Sequence, residues 1–393
     1  MRILMVSDVY FPRVNGVSTS IETFRRTLAP LGVDVRLVVP RYGDEPDEAG
    51  VVRVAGRPIP GDREDRLVRW RAMHRAVLAQ ARECDAIHVQ TPFVAHYAGL
   101  AAGRRLGLPV VATYHTLFEE YLQHYARYVP ASWLRGQARA FSRRQCNALD
   151  RVIVPSVAMR ERLQAYGVRA PMQVLPTGIP IERFTGGDGA AFRRACGIPA
   201  ERPVALFVGR VAHEKNIGFL LEAMVEARKA CPEAMLLVAG EGPARAVLEA
   251  QAASLGLQGS VRFIGYLDRE RQLPGCYAAA DVFVFASRTE TQGLVLLEAM
   301  AAGAPVIALA EMGTRDILGP GRGAFVPPDN PQAFGSVLGH VLGRPDGWRH
   351  LREEAPVYAR EWSDAAMARR MVDLYRGLTA SPGGAGAPRI VRA

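Results

Sequence analysis

The sequence predicts an α/β protein built of two Rossmann-like, doubly wound domains facing each other across a cleft. Three observations carry that expectation. The chain has 393 residues, too many for one ordinary core and enough for two domains of roughly 150 to 200 residues. Short, continuous apolar runs alternate with amphipathic, Ala- and Arg-rich segments in both halves, the pattern of parallel strands covered on both faces by helices. A Gly- and Pro-rich stretch, TGGDGAAFRRACGIPAERP from Thr185, separates the two sets.

In the first half the strand candidates are RILMVSD from Arg2, VDVRLVVP from Val33, AIHVQ from Ala86, PVVATYH from Pro109 and RVIVPS from Arg151. In the second they are VALFVG from Val204, MLLVAGEG from Met235, VRFIGY from Val261, DVFVFAS from Asp281 and PVIALA from Pro305. The expected domains are 1–184, with a helix of about 364–380 packing back on it, and 185–363. Residues 381–393, SPGGAGAPRIVRA, read as a disordered tail. Ligands of open parallel sheets bind beyond the carboxyl ends of the strands, so residues that directly follow these runs are the site candidates.

Bulk properties narrow the function. No apolar run reaches the roughly 18 residues of a membrane span, and the run Ile3–Val6 is too short for a secretory signal; a cytoplasmic protein is expected. The five cysteines, Cys84, Cys146, Cys196, Cys231 and Cys276, form no C-x-x-C pair, which favours buried thiols over a disulfide framework or a zinc site. The net charge of +10 is uneven. Up to Phe184 there are 26 Arg and no Lys against 17 Asp plus Glu, a net +9, and the remainder carries 23 against 22. An anionic partner is therefore expected for the first half: a phosphorylated substrate, an acidic lipid surface or nucleic acid. The segments REDRLVRWRAMHRAVLAQARE from Arg63 and RYVPASWLRGQARAFSRRQ from Arg127 each suit a helix mixing Arg with Trp, Leu and Phe. Such a helix lies on an anionic bilayer or packs its apolar stripe on the sheet with Arg outside. Nucleic acid is disfavoured because no recognised binding module is present.

Four clusters could carry chemistry. In SRTETQGLVLLEAMAAG, from Ser287, a loop with Glu290 leads into an apolar helix that holds Glu298. The N–H groups of Gln292, Gly293 and Leu294 at its first turn suit a phosphate. Leu294, Val295, Ala301 and Ala302 are the helical neighbours of Glu298, and none can neutralise it, so ligand hydroxyls are a natural partner for its buried carboxylate. Eight helical residues span about 12 Å, which sets Glu290 and Glu298 at two ends of a ligand rather than on one small group. In ALFVGRVAHEKN, Arg210 and Lys215 follow a strand, and Lys215 is one of only two lysines, with Lys229. A planar fork and a point charge together fit a pyrophosphate. After the first strand, Asn15 and Gly16 allow a tight turn that opens a helix toward an anion, or serve structure alone. No Walker or G-x-G-x-x-G loop is present, and VAGEGP holds only G-x-G. His115 follows a strand with Glu119 four residues on; lacking a third ligand, the pair points to substrate contact or a structural role rather than a metal.

Taken together, the paired α/β halves, G-R-V-x-x-E-K-N from Gly209, G-E-G-P from Gly240 and the E-x7-E of Glu290 and Glu298 resemble the retaining glycosyltransferases of family 4, which have the GT-B fold. The resemblance spans residues 1 to about 380. It implies a nucleotide-sugar donor bound mainly by the second domain, no metal, no cofactor and retained anomeric configuration. By matching positions it implies that Arg210 and Lys215 hold the diphosphate and Glu298 the ribose. Glu290 and the backbone of Gln292, Gly293 and Leu294 would hold the sugar, Gly16 would approach phosphate or acceptor, and His115 would touch the transferred sugar. Pro180, in LPTGIPIERF, stands where the family commonly has Asp, and that position is given no role.

The segments NGVSTSI, QTPFVAHYAGL and TYHTLFEEYLQHY are similar to glycosyltransferases acting on diacylglycerol, and more loosely to lipid mannosyltransferases. The expectation is a hexosyltransferase using a UDP-sugar and a lipid hydroxyl at the membrane surface, as a peripheral protein of the inner face. Alternatives are a soluble acceptor such as a sugar phosphate or polysaccharide, a GDP-mannose-dependent mannosyltransferase, and an inactive nucleotide-sugar-binding protein.

Overall fold

In the computed structural model, which describes residues 1–59, 62–115 and 131–380, all ten apolar runs form strands. The first sheet holds β1 (Arg2–Val6), β2 (Asp34–Arg41), β3 (Val51–Ile59), β4 (Asp62–Val68), β5 (Ala86–Val89), β6 (Val110–Thr113), β7 (Arg151–Val154) and β8 (Met172–Val174). Their order is β4-β3-β2-β1-β5-β6-β7-β8. All neighbours are parallel except β3 and β4. Chain direction across the sheet reverses between β1 and β5, the switch point at which adjacent loops part and leave a crevice. The second sheet holds β9 (Val204–Val208), β10 (Met235–Ala239), β11 (Val261–Gly265), β12 (Val282–Phe285), β13 (Val306–Ala308) and β14 (Ala324–Phe325). It is parallel throughout in the order β11-β10-β9-β12-β13-β14, with its switch point between β9 and β12.

The central strands β5, β10 and β12 are buried at every residue, which is why they read as unbroken apolar runs rather than alternating ones. In the second sheet Phe207, Phe283 and Phe285 stack with centroids 5.8 and 6.1 Å apart, and Tyr277 lies 5.9 Å from Phe283.

The chain divides into two compact units, Met1–Thr177 with the segment from Met367, and Gly178–Ala366. The helix Asp364–Ala380 crosses from the second unit to the first. In the first unit its Met371 and Tyr375 are fully buried, and Arg370 Nη2 donates to the Val174 carbonyl over 2.9 Å.

β3, β4, β8 and β14 are strands outside the ten expected runs, and β4 replaces part of an expected helix. REDRLVRW does not join the helix that follows it. Residues up to Val68 form β4, antiparallel to β3 with Gly56 opposite Val68, and the helix begins at Trp70. Leu67 points outward and Val68 inward, the two-residue alternation of an edge strand, and Arg66 is held over the Tyr42 ring at 5.0 Å. The helix itself, Trp70–Ala81, buries Met73, Val77 and Ala81, a stripe at intervals of four that is core. In the second basic segment Ala131–Cys146 is helical, while Arg127–Pro130 lie outside the described residues. Glu119 and the tail 381–393 lie outside them as well.

Candidate active site

Each unit gathers its candidate residues at its own switch point. In the second unit, two loops follow β9 and β12. The loop after β9 is fastened to the one after β10: Gly209 N–H donates to Ala239 O at 3.0 Å, Val211 N–H to Glu241 O at 2.9 Å and Ala244 N–H to Val211 O at 3.0 Å. The approach leaves no room for side chains. Gly240 has φ 142°, and a Cβ there would sit 1.9 Å from Gly209 O. The G-E-G-P turn is thus a backbone clasp that fixes where Arg210 leaves the sheet. Asn216, in the left-handed region at φ 54°, donates from Nδ2 to Ala286 O at 3.1 Å, and Ser287 Oγ donates to Glu214 O at 3.2 Å. These bonds bind the β9 loop to the β12 loop.

The juxtaposition brings Lys215 onto Glu290, whose carboxylate accepts directly from Nζ. Both side chains are about one-fifth exposed, 21% and 19%, so the pair is reachable. Lys215 keeps two further N–H donors for an anion. Arg210 is exposed at the carboxyl end of β9. The helix after β12 starts at Leu294, with Gly293 as its N-cap at φ 91° and Gln292 just ahead. A Cβ on Gly293 would lie 2.9 Å from Thr314 Cγ2, and the Glu290 carbonyl is held by Gly313 N–H at 2.8 Å. Glycines therefore shape the bend that carries Glu290 and leads into the helix start.

Glu298 corrects the sequence reasoning. It is buried, 3% exposed, but it is not left to a ligand alone. Arg269 Nη2 donates to Oε1 at 2.8 Å and Tyr277 OH donates to Oε2 at 2.8 Å. Both partners come from outside its helix, where helical spacing could not reveal them. Burial, and then the neighbouring Glu298 charge, raise the Tyr277 pKa well above that of an ordinary phenol. The Arg269 side chain is 42% exposed against 4% for Glu298, so the guanidinium is the part of this pair that meets solvent. After β11, Tyr266 stands 72% exposed.

In the first unit a cavity of about 340 Å³ opens beyond the ends of β1, β5 and β6. Val9, Val17, Val89, Leu149 and Val152 give it apolar walls, and Asp8, His96 and His115 supply titratable groups. His115 Nε2 pairs with Gln90 Oε1 at 2.9 Å. Since the amide oxygen only accepts, His115 donates from Nε2 and keeps Nδ1 as an acceptor. Burial lowers its pKa to about 4, so the ring is neutral at physiological pH. Asn15 lines the cavity, yet its Oδ1 is committed as the N-cap of Gly16–Leu28, accepting from Ser18 N–H at 2.9 Å. Gly16 has no positive φ, and a Cβ added to it would meet nothing within 4 Å. The turn does not need this glycine; the space beside it is open.

Asp8 was not legible as a candidate beyond its place after a strand. Its carboxylate accepts from Thr91 Oγ1 at 2.8 Å and from Ala95 N–H at 3.1 Å, at the start of the helix Val94–Leu106. Burial pushes its pKa up to about 6, against the lowering effect of those bonds.

Residues 14–183 match the model of Glycosyltransferase Family 4, and residues 189–361 that of Glycosyl transferases group 1. The chain is 32% identical over 368 residues to an alpha-monoglucosyldiacylglycerol synthase of Streptococcus pneumoniae, covering 90% of this chain and 81% of that protein. It is 27% identical to the enzyme of the same name from Acholeplasma laidlawii, covering 96% and 97%. Among solved structures, Anabaena HepE in complex with UDP superposes with a TM-score of 0.76 at 18% identity, over 96% of this chain and 100% of that one.

Proposed function

The chain belongs to glycosyltransferase family 4, with the GT-B fold, and from that premise we propose that it moves a hexose from a UDP-sugar to a hydroxyl of diacylglycerol or a related membrane lipid. That it is a hexosyltransferase using a nucleotide sugar follows from the family and its relatives. The observation that carries the lipid acceptor is the cavity of the first unit. Its aliphatic walls, from Val9, Val17, Val89, Leu149 and Val152, accompany the polar groups of Asp8, Gln90, His96, Thr113 and His115, and exposed apolar side chains stand beside it. Phe93 is 53% exposed and lines the cavity, Tyr97 follows one turn later at 46%, and Val14, at 57%, is next in sequence to the lining residue Arg13. Apolar tips among arginines suit a bilayer surface carrying anionic lipid. Among the described residues no helix is long and apolar enough to cross a membrane, so the contact proposed is peripheral. The names of the two synthases, which denote a glucosylated diacylglycerol as the product, agree with this reading.

In the transfer, negative charge grows on the departing diphosphate and positive charge on the sugar. Arg210, Lys215 and the N–H groups of Gln292, Gly293 and Leu294 stabilise the first without a metal ion. Glu290, oriented by Lys215 and by Gly313 N–H, accepts from sugar hydroxyls, and Glu298 from the ribose. His115, neutral, offers Nδ1 as an acceptor for a sugar hydroxyl. Gly16 leaves room for the ligand, and Asn15 has Nδ2 left to give. Co-sedimentation with vesicles tests the membrane half: binding should rise with phosphatidylglycerol content and fall with salt. Absence of binding to every lipid mixture would transfer the proposal to a soluble acceptor.

A further inference from the structure

Behind the cavity wall lie two buried groups that the transfer as described does not use. His88 on β5 is fully buried, and so is Tyr375 on the C-terminal helix. Tyr375 OH is 2.6 Å from His88 Nδ1, and Thr113 Oγ1, at the end of β6, is 2.7 Å from His88 Nε2. Burial keeps the imidazole neutral by lowering its pKa to about 3. A neutral ring carries one N–H, so the three groups can be ordered in only two ways.

The buried phenol decides between them. Among the described residues His88 is the sole hydrogen-bond partner of the Tyr375 hydroxyl. Were Nδ1 protonated, Tyr375 would accept from it and its own hydrogen would be stranded in the core, which native interiors avoid. Tyr375 therefore donates to Nδ1, and the ring proton sits on Nε2 and is donated to Thr113. Thr113 then uses one lone pair on His88 and retains its hydroxyl hydrogen. Its side chain is half-buried and lines the cavity, beside Gln90 and His115.

We infer that Tyr375 and His88 hold Thr113 as a hydrogen-bond donor facing the cavity, where it binds an oxygen of the acceptor. Thr113 is thus an acceptor-binding residue, and Tyr375 and His88 are positioning residues acting through it. The C-terminal helix, remote in sequence, in this way sets the polarity of one group in the site. The ligand half of the inference rests on the acceptor reading of the cavity; the relay does not.

Two measurements on the full chain separate those halves. With 15N-histidine labelling, long-range 1H–15N spectra report the tautomer of each neutral ring, and His88 is the ring whose signals move in both Tyr375→Phe and Thr113→Val. The Nε2–H form is expected in the wild type; an Nδ1–H form there overturns the relay, whatever the variants do. In transfer assays with diacylglycerol in phosphatidylglycerol vesicles, Thr113→Val should raise the acceptor KM roughly five-fold, the size of one hydrogen bond, with kcat changing less. Thr113→Ser should recover it, and Tyr375→Phe should shift KM in the same direction. An unchanged acceptor KM in Thr113→Val overturns the binding role. Failure of the wild type to glycosylate the lipid defeats the acceptor reading, while the tautomer result stands on its own.

Discussion

Replacing Glu298 by Gln separates the two duties assigned to this carboxylate. In the native protein it is 3% exposed and accepts one bond from Arg269 and one from Tyr277, each at 2.8 Å. Gln keeps an oxygen for the Tyr277 hydroxyl but turns an NH2 toward a guanidinium, so the charge-assisted bond to Arg269 is lost. Such bonds contribute about 1.5–3 kcal/mol, and the exposure of Arg269 places this one at the lower end, about 2 kcal/mol. For a unit of this size that is a fall of roughly 4–8 °C in Tm by differential scanning calorimetry. If the carboxylate also holds the ribose, UDP affinity by titration calorimetry should fall about ten-fold or more, because a charge-assisted acceptor is removed. Tyr277→Phe is the control: it loses one hydrogen bond, about 1 kcal/mol, and should leave UDP affinity within about three-fold. Unfolding of Glu298→Gln at the wild-type temperature would refute the pairing energetics. Wild-type UDP affinity in that variant would refute the ribose role.

Other outcomes follow from the same geometry. Changing Arg210 or Lys215 to Ala should lower kcat by about 10² or more, as for groups that act on charge developing in the transition state; steady-state nucleotide release measures it, and wild-type rates in both would remove them from the reaction. Gly240→Ala should unfasten the clasp between the loops after β9 and β10, since its Cβ would lie 1.9 Å from Gly209 O; a Tm drop with loss of UDP binding is expected, and an unaltered Tm would contradict the clasp. His88, His96 and His115 have pKa values lowered by burial to about 3, 4 and 4, so below the ordinary value of 6.5 the unfolded chain binds more protons than the folded one. Their stabilisation is present above pH 6.5 and is lost on acidification, up to about 3 kcal/mol each for His96 and His115 by pH 4. Asp8, raised to about 6, works in the opposite sense and offsets only one of the three. Urea unfolding of the first unit should therefore weaken from pH 7 to pH 5, and a flat or rising stability would contradict the neutral, buried rings.

Ten of the described strands were legible because continuous apolar runs follow directly from burial on two faces. β3, β4, β8 and β14 were not. β4 is rich in charge and has one outward and one inward side at Leu67 and Val68, so its composition resembled the helix beside it. Lys215 and Glu290 were each visible from their place after a strand, but their contact depends on β9 and β12 being neighbours, which strand order alone decides. Glu298 was visible as an anomaly in an apolar helix, while its partners Arg269 and Tyr277 were hidden by 29 and 21 residues of separation. The relay from Tyr375 to His88 spans 287 residues, and no local pattern could carry it.

The central claim is tested most directly by nucleotide release from a panel of UDP- and GDP-hexoses, with and without diacylglycerol in phosphatidylglycerol vesicles. Release from a UDP-hexose that rises with diacylglycerol, with the sugar label recovered in the lipid phase, is the predicted result. Release indifferent to diacylglycerol, with label transferred only to a soluble acceptor, would contradict it.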